Sequence, residues 1–191
     1  MAAKNQTIKT ENDSTLPIGD SQIAALERRH LLLGWFALLL FLTLGIGLEM
    51  MHGFKLGFYL DVQNSSRRLM WTLAHAHGTL FALIHIAFAC SLGLLPVRSA
   101  SALGLVSKCL TGALVVMPLG FFFGGLWMFG GDPGLGVLLV PAGALLLLSG
   151  VGIFSATLLG NLKQGAKEQT AGTRKAQAKP SSKPPRKKRR K

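Results

Sequence analysis

Two short stretches of the sequence hold the side chains that could do chemistry. Glu49 and His52 stand close together in the first stretch, and His75 and His77 in the second. Imidazole nitrogens and carboxylate oxygens bind transition metals, and histidines on different helices can ligate haem iron axially. These four residues are therefore the candidate metal or haem ligands. His85, which follows His77 in the same stretch, is a candidate additional ligand.

The segment that must position the last three histidines is an apolar run over 69–95 without a formally charged residue. Three similar runs lie elsewhere in the chain, and each matches or exceeds the roughly 17 to 25 residues that cross a bilayer. Backbone groups in hydrocarbon must bond within their own segment, so each run is expected to be helical. The sequence predicts an all-α, integral membrane four-helix bundle over 21–160, with spans at about 31–51, 69–95, 102–129 and 135–160.

Small residues in the third and fourth spans are spaced for close helix contact. Gly120 and Gly124 form a GxxxG pattern, and Gly150, Gly152 and Ala156 form a stripe. Helices in lipid associate where small side chains allow their backbones to approach. We therefore expect these faces to pack against neighbouring helices.

The net charge of +13 belongs mostly to the C-terminal end of the chain. Residues 161–191 contain twelve Lys or Arg and one acidic residue, which is +11 and leaves +2 for the rest. This segment and the polar segment 1–20 lack the apolar residues needed to form a core. We predict a disordered N-terminal arm over 1–20 and a disordered basic cytoplasmic tail over 161–191. Its last six residues are candidates for contact with the lipid interface: Arg186, Lys187, Lys188, Arg189, Arg190 and Lys191.

The distribution of basic residues predicts which ends face the cytoplasm. Near the span ends, eight Lys or Arg lie on the side that carries both termini, and three lie on the other side. The positive-inside rule places the N-terminus and the C-terminus in the cytoplasm, and we expect a multi-pass protein of a bacterial inner membrane. Trp71 and Trp127 then share the outer interface. His30 is expected at the inner headgroups with Arg28 and Arg29.

This topology brings the candidate ligands to a similar depth. Glu49 and His52 end the first span at the outer face, and His75 and His77 lie roughly 6 to 9 Å below Trp71. Residues two apart on a helix point to nearly opposite sides. One of these two histidines is therefore expected to face Glu49 and His52, and the other to face the third or fourth span.

A structural interpretation stands beside the functional one. Polar side chains at membrane depth are costly, which favours a functional role. A neutral imidazole can nevertheless be held by a backbone carbonyl, or by a Ser or Thr of a neighbouring helix, with no further function. Glu49 can likewise pair with one of three basic residues near the same interface: Lys55, Arg67 or Arg68.

Three functions are compatible with this arrangement, and the sequence leaves open whether the protein is an enzyme. The first is a small haem- or metal-binding redox protein, whose H-x-H pair over 75–77 is similar to that of the haem–copper oxidases. The second is a non-enzymatic membrane adaptor or structural subunit with a basic tail, and the third is a small proton-linked transporter. Expected partners are the lipid bilayer, anionic headgroups and another copy or a different subunit, whereas nucleic acid is not expected. Phosphate-binding loops and the H-E-x-x-H and G-x-S-x-G motifs are absent.

Overall fold

Four long helices make up most of the computed structural model, which describes residues 19–94 and 100–177. Helix α1 spans Asp20–Gly53, the short α2 spans Gly57–Leu60, and α3 spans Ser65–Leu94. Helix α4 spans Ala100–Leu126, and α5 spans Leu139–Gln177. All but α2 are long and apolar enough to cross a membrane. The prediction of an all-α membrane four-helix bundle is confirmed.

The long helices pack in chain order, with α1 against α3, α3 against α4, and α4 against α5. Helices α3 and α4 are therefore central, and α1 and α5 are outside. Most fully buried apolar side chains belong to the central pair, in two clusters along their contact. The outer helices expose large apolar side chains such as Phe36 and Leu148. An apolar outer surface is what lipid requires of a spanning helix.

Glycines set the closest helix contacts. A Cβ atom built at Gly34 of α1 would lie 3.0 Å from the carbonyl oxygen of Ala82 in α3, and one built at Gly143 of α5 would lie 2.5 Å from Cβ of Met117 in α4. Two predicted small-residue faces differ. A Cβ atom built at Gly120 would contact the start of α5, whereas a Cβ atom built at Gly152 would have nothing within 4 Å. The GxxxG face therefore makes a helix contact, and the stripe on the fourth span does so only in part.

The connector between α1 and α3 is fastened to the end of the bundle by backbone carbonyls. Nη1 of Arg68 donates to the carbonyl oxygens of Tyr59 and Asp61, each at 2.9 Å. Nε of Arg67 donates to the carbonyl oxygen of Gly125 at 3.1 Å, which ties α3 to the end of α4. These bonds place the α1–α3 connector and the connection from α4 to α5 at the end opposite the first residue of α1. Trp71 lies there too, stacked with the rings of Tyr59 and Phe122.

A tight turn leads from α4 to α5. Phe129 and Asp132 exchange backbone hydrogen bonds around Gly130 and Gly131, whose φ angles of 59° and 92° are in the region that favours glycine. A 3₁₀ segment over Leu135–Leu138 then enters α5. Helix α5 continues to Gln177, so residues 161–177 are helical where the composition predicts a disordered tail. Residues 1–18 of the arm predicted over 1–20, and residues 178–191 of the tail, lie outside the described residues.

Candidate functional site

The His75 ring is held in one orientation by α1. Its Nδ1 lies 2.7 Å from the carbonyl oxygen of Phe41. Because a carbonyl can only accept, Nδ1 carries the proton, and a neutral ring then has an unprotonated lone pair on Nε2. The ring occupies the space that a side chain at Gly45 would need, since a Cβ there would lie 2.5 Å from its Cε1. The absence of a side chain at Gly45 is what admits the imidazole between the helices.

His75 borders a cavity of about 1010 Å³ between α1, α3 and the connector, called here the α1–α3 cavity. Its polar lining consists of Glu49, His52, Arg68, Thr72 and His75, and its apolar lining includes Leu42, Ile46, Met50 and Phe54. Ligand pockets usually measure about 300 to 1,000 Å³. The cavity is thus large enough for a sizeable organic ligand with an apolar body and polar substituents.

His77 lies on the other side of α3. Its Nδ1 donates to the carbonyl oxygen of Leu73 in its own helix at 2.9 Å. Its ring packs against Phe121 of α4, with ring centroids 4.9 Å apart, and against Phe81. The α1–α3 cavity therefore gathers three of the four candidate ligands, Glu49, His52 and His75, and His77 does not line it.

The described residues bring no three potential metal ligands to bonding distance of one point. In 19–94 and 100–177, no group of three or more His, Cys, Asp or Glu side chains is arranged to hold a metal ion. Within the same ranges, Glu49 makes no ion pair with an arginine, and the hydrogen bonds of Arg67 and Arg68 go to backbone carbonyls. The candidate ligands thus share a cavity without forming a closed metal cage.

A second buried polar group joins three helices near the other end of the bundle. Nδ1 of His30 lies 2.9 Å from Nδ1 of His85, and Nε2 of His30 lies 2.8 Å from Oγ of Ser107. All three side chains are at most 2% exposed. The depth predicted for His30 is not tested by these contacts, but its side chain does not face outward as those of its two neighbours do. His30 points into the bundle, whereas Arg28 and Arg29 are exposed.

The sequence offered little to indicate this second group. Two adjacent arginines next to His30 are typical of an interfacial position. Ser107 is one of two hydroxyl residues in the third apolar run, with Thr111. The contact of His30, His85 and Ser107 could be predicted only by knowing which faces of α1, α3 and α4 pack together.

These features define the class of the protein as a multi-pass, all-α membrane protein with polar groups inside its helix bundle. Comparison of the chain with protein-family models, with curated proteins and with solved structures finds no match. The predicted lipid-interface residues, Arg186 to Lys191, lie outside the described residues. Function must therefore be argued from the geometry alone.

Proposed function

We propose that the protein binds haem in the α1–α3 cavity, with Nε2 of His75 as an iron ligand. The observation that carries this proposal is the bond from Nδ1 of His75 to the carbonyl oxygen of Phe41. Metal-ligating histidines usually donate their second ring N–H to a carbonyl or a carboxylate, which fixes the tautomer and the ring orientation. His75 has this arrangement at the edge of a large cavity.

The ligand geometry favours haem over a bare metal ion. A transition-metal ion bound by protein alone needs about three or four side-chain ligands, and the described residues hold no such group. Haem supplies four nitrogens of its own, so one or two axial ligands from the protein suffice. His52 lines the same cavity from α1 and is the candidate for the second axial position. Bound haem would supply one-electron exchange.

The lining of the cavity also suits the two ends of a haem. Its apolar residues would contact the macrocycle, and Arg68 lies where the cavity meets the connector. Nη1 of Arg68 is used by two backbone carbonyls. A guanidinium has five N–H groups, so further donors can bind a carboxylate of the ligand. The bonds of Nη1 hold the side chain in place for this contact.

The test is the absorption spectrum of the full-length protein, purified in mild detergent from cells supplied with a haem precursor. We expect a Soret band and a reduced-minus-oxidised difference spectrum in the wild type. His75→Ala is expected to lose the Soret band. His77→Ala is the matched control, because it removes an imidazole from the same helix on the face away from the cavity, and it is expected to keep the band.

Two results would contradict the proposal. One is a wild type without Soret absorbance that also fails to bind added haemin. The other is equal haem content in wild type and His75→Ala, which would remove His75 as a ligand. His52→Ala tests the second axial position, since loss of one of two histidines is expected to change the iron spin state while haem stays bound.

A second candidate function rests on the length of α5. Its 39 residues correspond to about 58 Å at 1.5 Å per residue, against about 30 Å of hydrocarbon. The part beyond Asn161 carries exposed Lys163, Lys167 and Arg174. We propose that this extension and the tail lie on the cytoplasmic face and bind anionic lipid, which would suit an adaptor or a structural subunit. Each basic residue near an anionic surface contributes about 1 kcal/mol.

Reconstituted vesicles can test lipid binding by the extension. A fluorophore on Thr170→Cys is expected to be less accessible to an aqueous quencher in vesicles that contain phosphatidylglycerol than in phosphatidylcholine alone. High salt should abolish the difference, because it screens charge. Lys163→Gln with Lys167→Gln is expected to reduce the difference. Equal quenching in both lipids would show that the extension does not bind the surface.

A further inference from the structure

The contact between His30 and His85 has two hydrogen-bonding states. Their facing Nδ1 atoms are 2.9 Å apart, so one ring must donate and the other accept. If His30 donates, its Nε2 accepts from the hydroxyl of Ser107, and a neutral His85 carries its proton on Nε2. If His85 donates, Nε2 of His30 donates to Oγ of Ser107, and Nε2 of a neutral His85 has no proton. The two states interconvert when protons move along the hydrogen-bond chain that Ser107, His30 and His85 form.

The hydrogen-bond chain ends at His85 without a further partner among the described residues. Nε2 of His85 is buried and has no hydrogen-bond partner in the part of the chain that the structure describes. The backbone of Leu110 lies beside the ring without hydrogen-bond geometry to Nε2. A buried polar atom without a partner is rare in a folded protein and costs free energy. A change of protonation at this nitrogen therefore breaks no hydrogen bond that holds the helices together.

A cavity of about 600 Å³ between α1 and α4, called here the N-terminal cavity, is lined by Thr111, which lies one helical turn from Ser107 on α4. Arg28, Arg29 and Thr111 supply its polar lining. Oγ1 of Thr111 is likewise buried without a partner among the described residues. Ser107 and Thr111 are four residues apart on α4, so their Cβ atoms are about 5 to 6 Å apart, a separation that one water can bridge.

We propose that Thr111, Ser107, His30 and His85 form a proton relay from the N-terminal cavity into the bundle. The relay starts from the state in which Nδ1 of His30 donates to His85 and Nε2 of His30 accepts from Ser107. A protonated water at Thr111 then gives one proton to Oγ of Ser107, as the original hydroxyl proton of Ser107 moves to Nε2 of His30. The Nδ1 proton of His30 then moves to Nδ1 of His85. A neutral water is left in the cavity, and His85 has gained one proton. Only O–H and N–H bonds form and break, and no electron is transferred.

Few charged groups lie near the relay. Arg29 of α1 is a cation that acts electrostatically on both imidazoles. On α4, Lys108 next to Ser107 is exposed, and Cys109 is buried. Glu27 lies beside Gly93 at the end of α3. The relay does not depend on haem, because His85 is ten residues from His75, which is about 15 Å along α3.

The experiment measures how fast solvent deuterium replaces the ring N–H protons of His30 and His85. The full-length protein carries ¹⁵N-labelled histidine and is studied by NMR in phosphatidylcholine nanodiscs. We expect exchange in the wild type although both rings are fully buried. Thr111→Val, which removes the hydroxyl and keeps the shape, is expected to slow exchange at both rings about tenfold, because a lost hydrogen bond in the path raises the barrier by an amount of that order.

Two control variants separate the relay from a structural role. Thr157→Val removes a hydroxyl that bonds only within α5, to the carbonyl oxygen of Ile153, and is expected to leave exchange unchanged. Thr111→Ser keeps a hydroxyl and is expected to restore fast exchange. The proposal is overturned if the ring N–H protons of the wild type exchange with deuterium as slowly as those of Thr111→Val. It is also overturned if Thr111→Val, folded as judged by circular dichroism, exchanges as fast as the wild type.

Discussion

At the scale of single residues, the two polar sites are built on the same physical rule. An imidazole inside lipid is acceptable when its ring nitrogens have partners. His75 and His77 each use Nδ1 on a backbone carbonyl, which the structural interpretation of the sequence also anticipates. That bond does not exclude function, because it leaves Nε2 free to act. His85 differs, since its Nε2 is enclosed and unpartnered among the described residues.

The first residue-scale prediction concerns Gly45, whose missing side chain makes room for His75. Gly45→Ala would place a methyl group 2.5 Å from Cε1 of the ring. We expect the ring to be displaced from Phe41, the free energy of unfolding to fall by about 1 to 3 kcal/mol, and haem content to drop. Gly47→Ala, with nothing within 4 Å of the new methyl, is expected to be neutral or to stabilise by up to about 1 kcal/mol. Thermal unfolding of both variants measures the difference, and equal effects would contradict it.

The second prediction concerns the hydroxyl of Ser107. Ser107→Ala leaves Nε2 of His30 without a partner in a fully buried position. We expect the free energy of unfolding to fall by about 1 to 3 kcal/mol. The matched control is Ser91→Ala, because Ser91 bonds to the carbonyl oxygen of Ala87 in its own helix. Chemical unfolding in detergent compares them, and no difference would show that the bond contributes little to stability.

At the scale of elements, α1 and α5 are held by different means. Helix α1 meets α3 through Gly34 and Gly45 and through two histidine contacts. Helix α5 meets α4 through small residues and apolar side chains. Both contacts rely on close backbone approach, because lipid provides no hydrophobic drive for helix association. A larger side chain at a contact glycine should therefore separate the helices.

The element-scale prediction compares two glycines of α5. At Gly143, a Cβ would lie 2.5 Å from Cβ of Met117, and at Gly152 it would meet nothing within 4 Å. Gly143→Leu is expected to destabilise the protein by about 1 to 3 kcal/mol. Gly152→Leu is expected to be tolerated, since its side chain would enter lipid. The apparent melting temperature in one detergent measures both variants. A comparable loss at the two sites would mean that α5 packs differently.

At the scale of the whole molecule, the four long helices alternate in direction. The hydrogen bonds from Arg67 to Gly125 and from Trp71 to Phe122 bring the α1–α3 connector and the α4–α5 connection to one end. The first residues of α1 and the extension of α5 are therefore at the other end. The α1–α3 cavity lies at the connector end, and the relay begins at the opposite end.

The prediction at this scale is a labelling pattern. Cys90 and Cys109 are first replaced by Ala, and single cysteines are introduced at Val62, which is 84% exposed in the connector, and at Thr170 in the α5 extension. A membrane-impermeant maleimide is expected to label Val62→Cys in intact cells and Thr170→Cys only after permeabilisation. Labelling of both from one side would contradict the four-span topology. The reverse pattern would contradict the cytoplasmic orientation.

The sequence by itself determined the number and type of the spanning elements, because length and apolarity alone decide whether a segment can cross lipid as a helix. It also predicted a similar depth for Glu49, His52, His75 and His77, since predicted depth follows from counting residues along a helix. Which residues share a cavity was decided only by the tertiary structure, through the rotation of each helix and the points where glycines admit a neighbour. That rotation turned His77 away from the cavity and His30 into the bundle. No local pattern in the chain encodes it, because it depends on how three helices pack together.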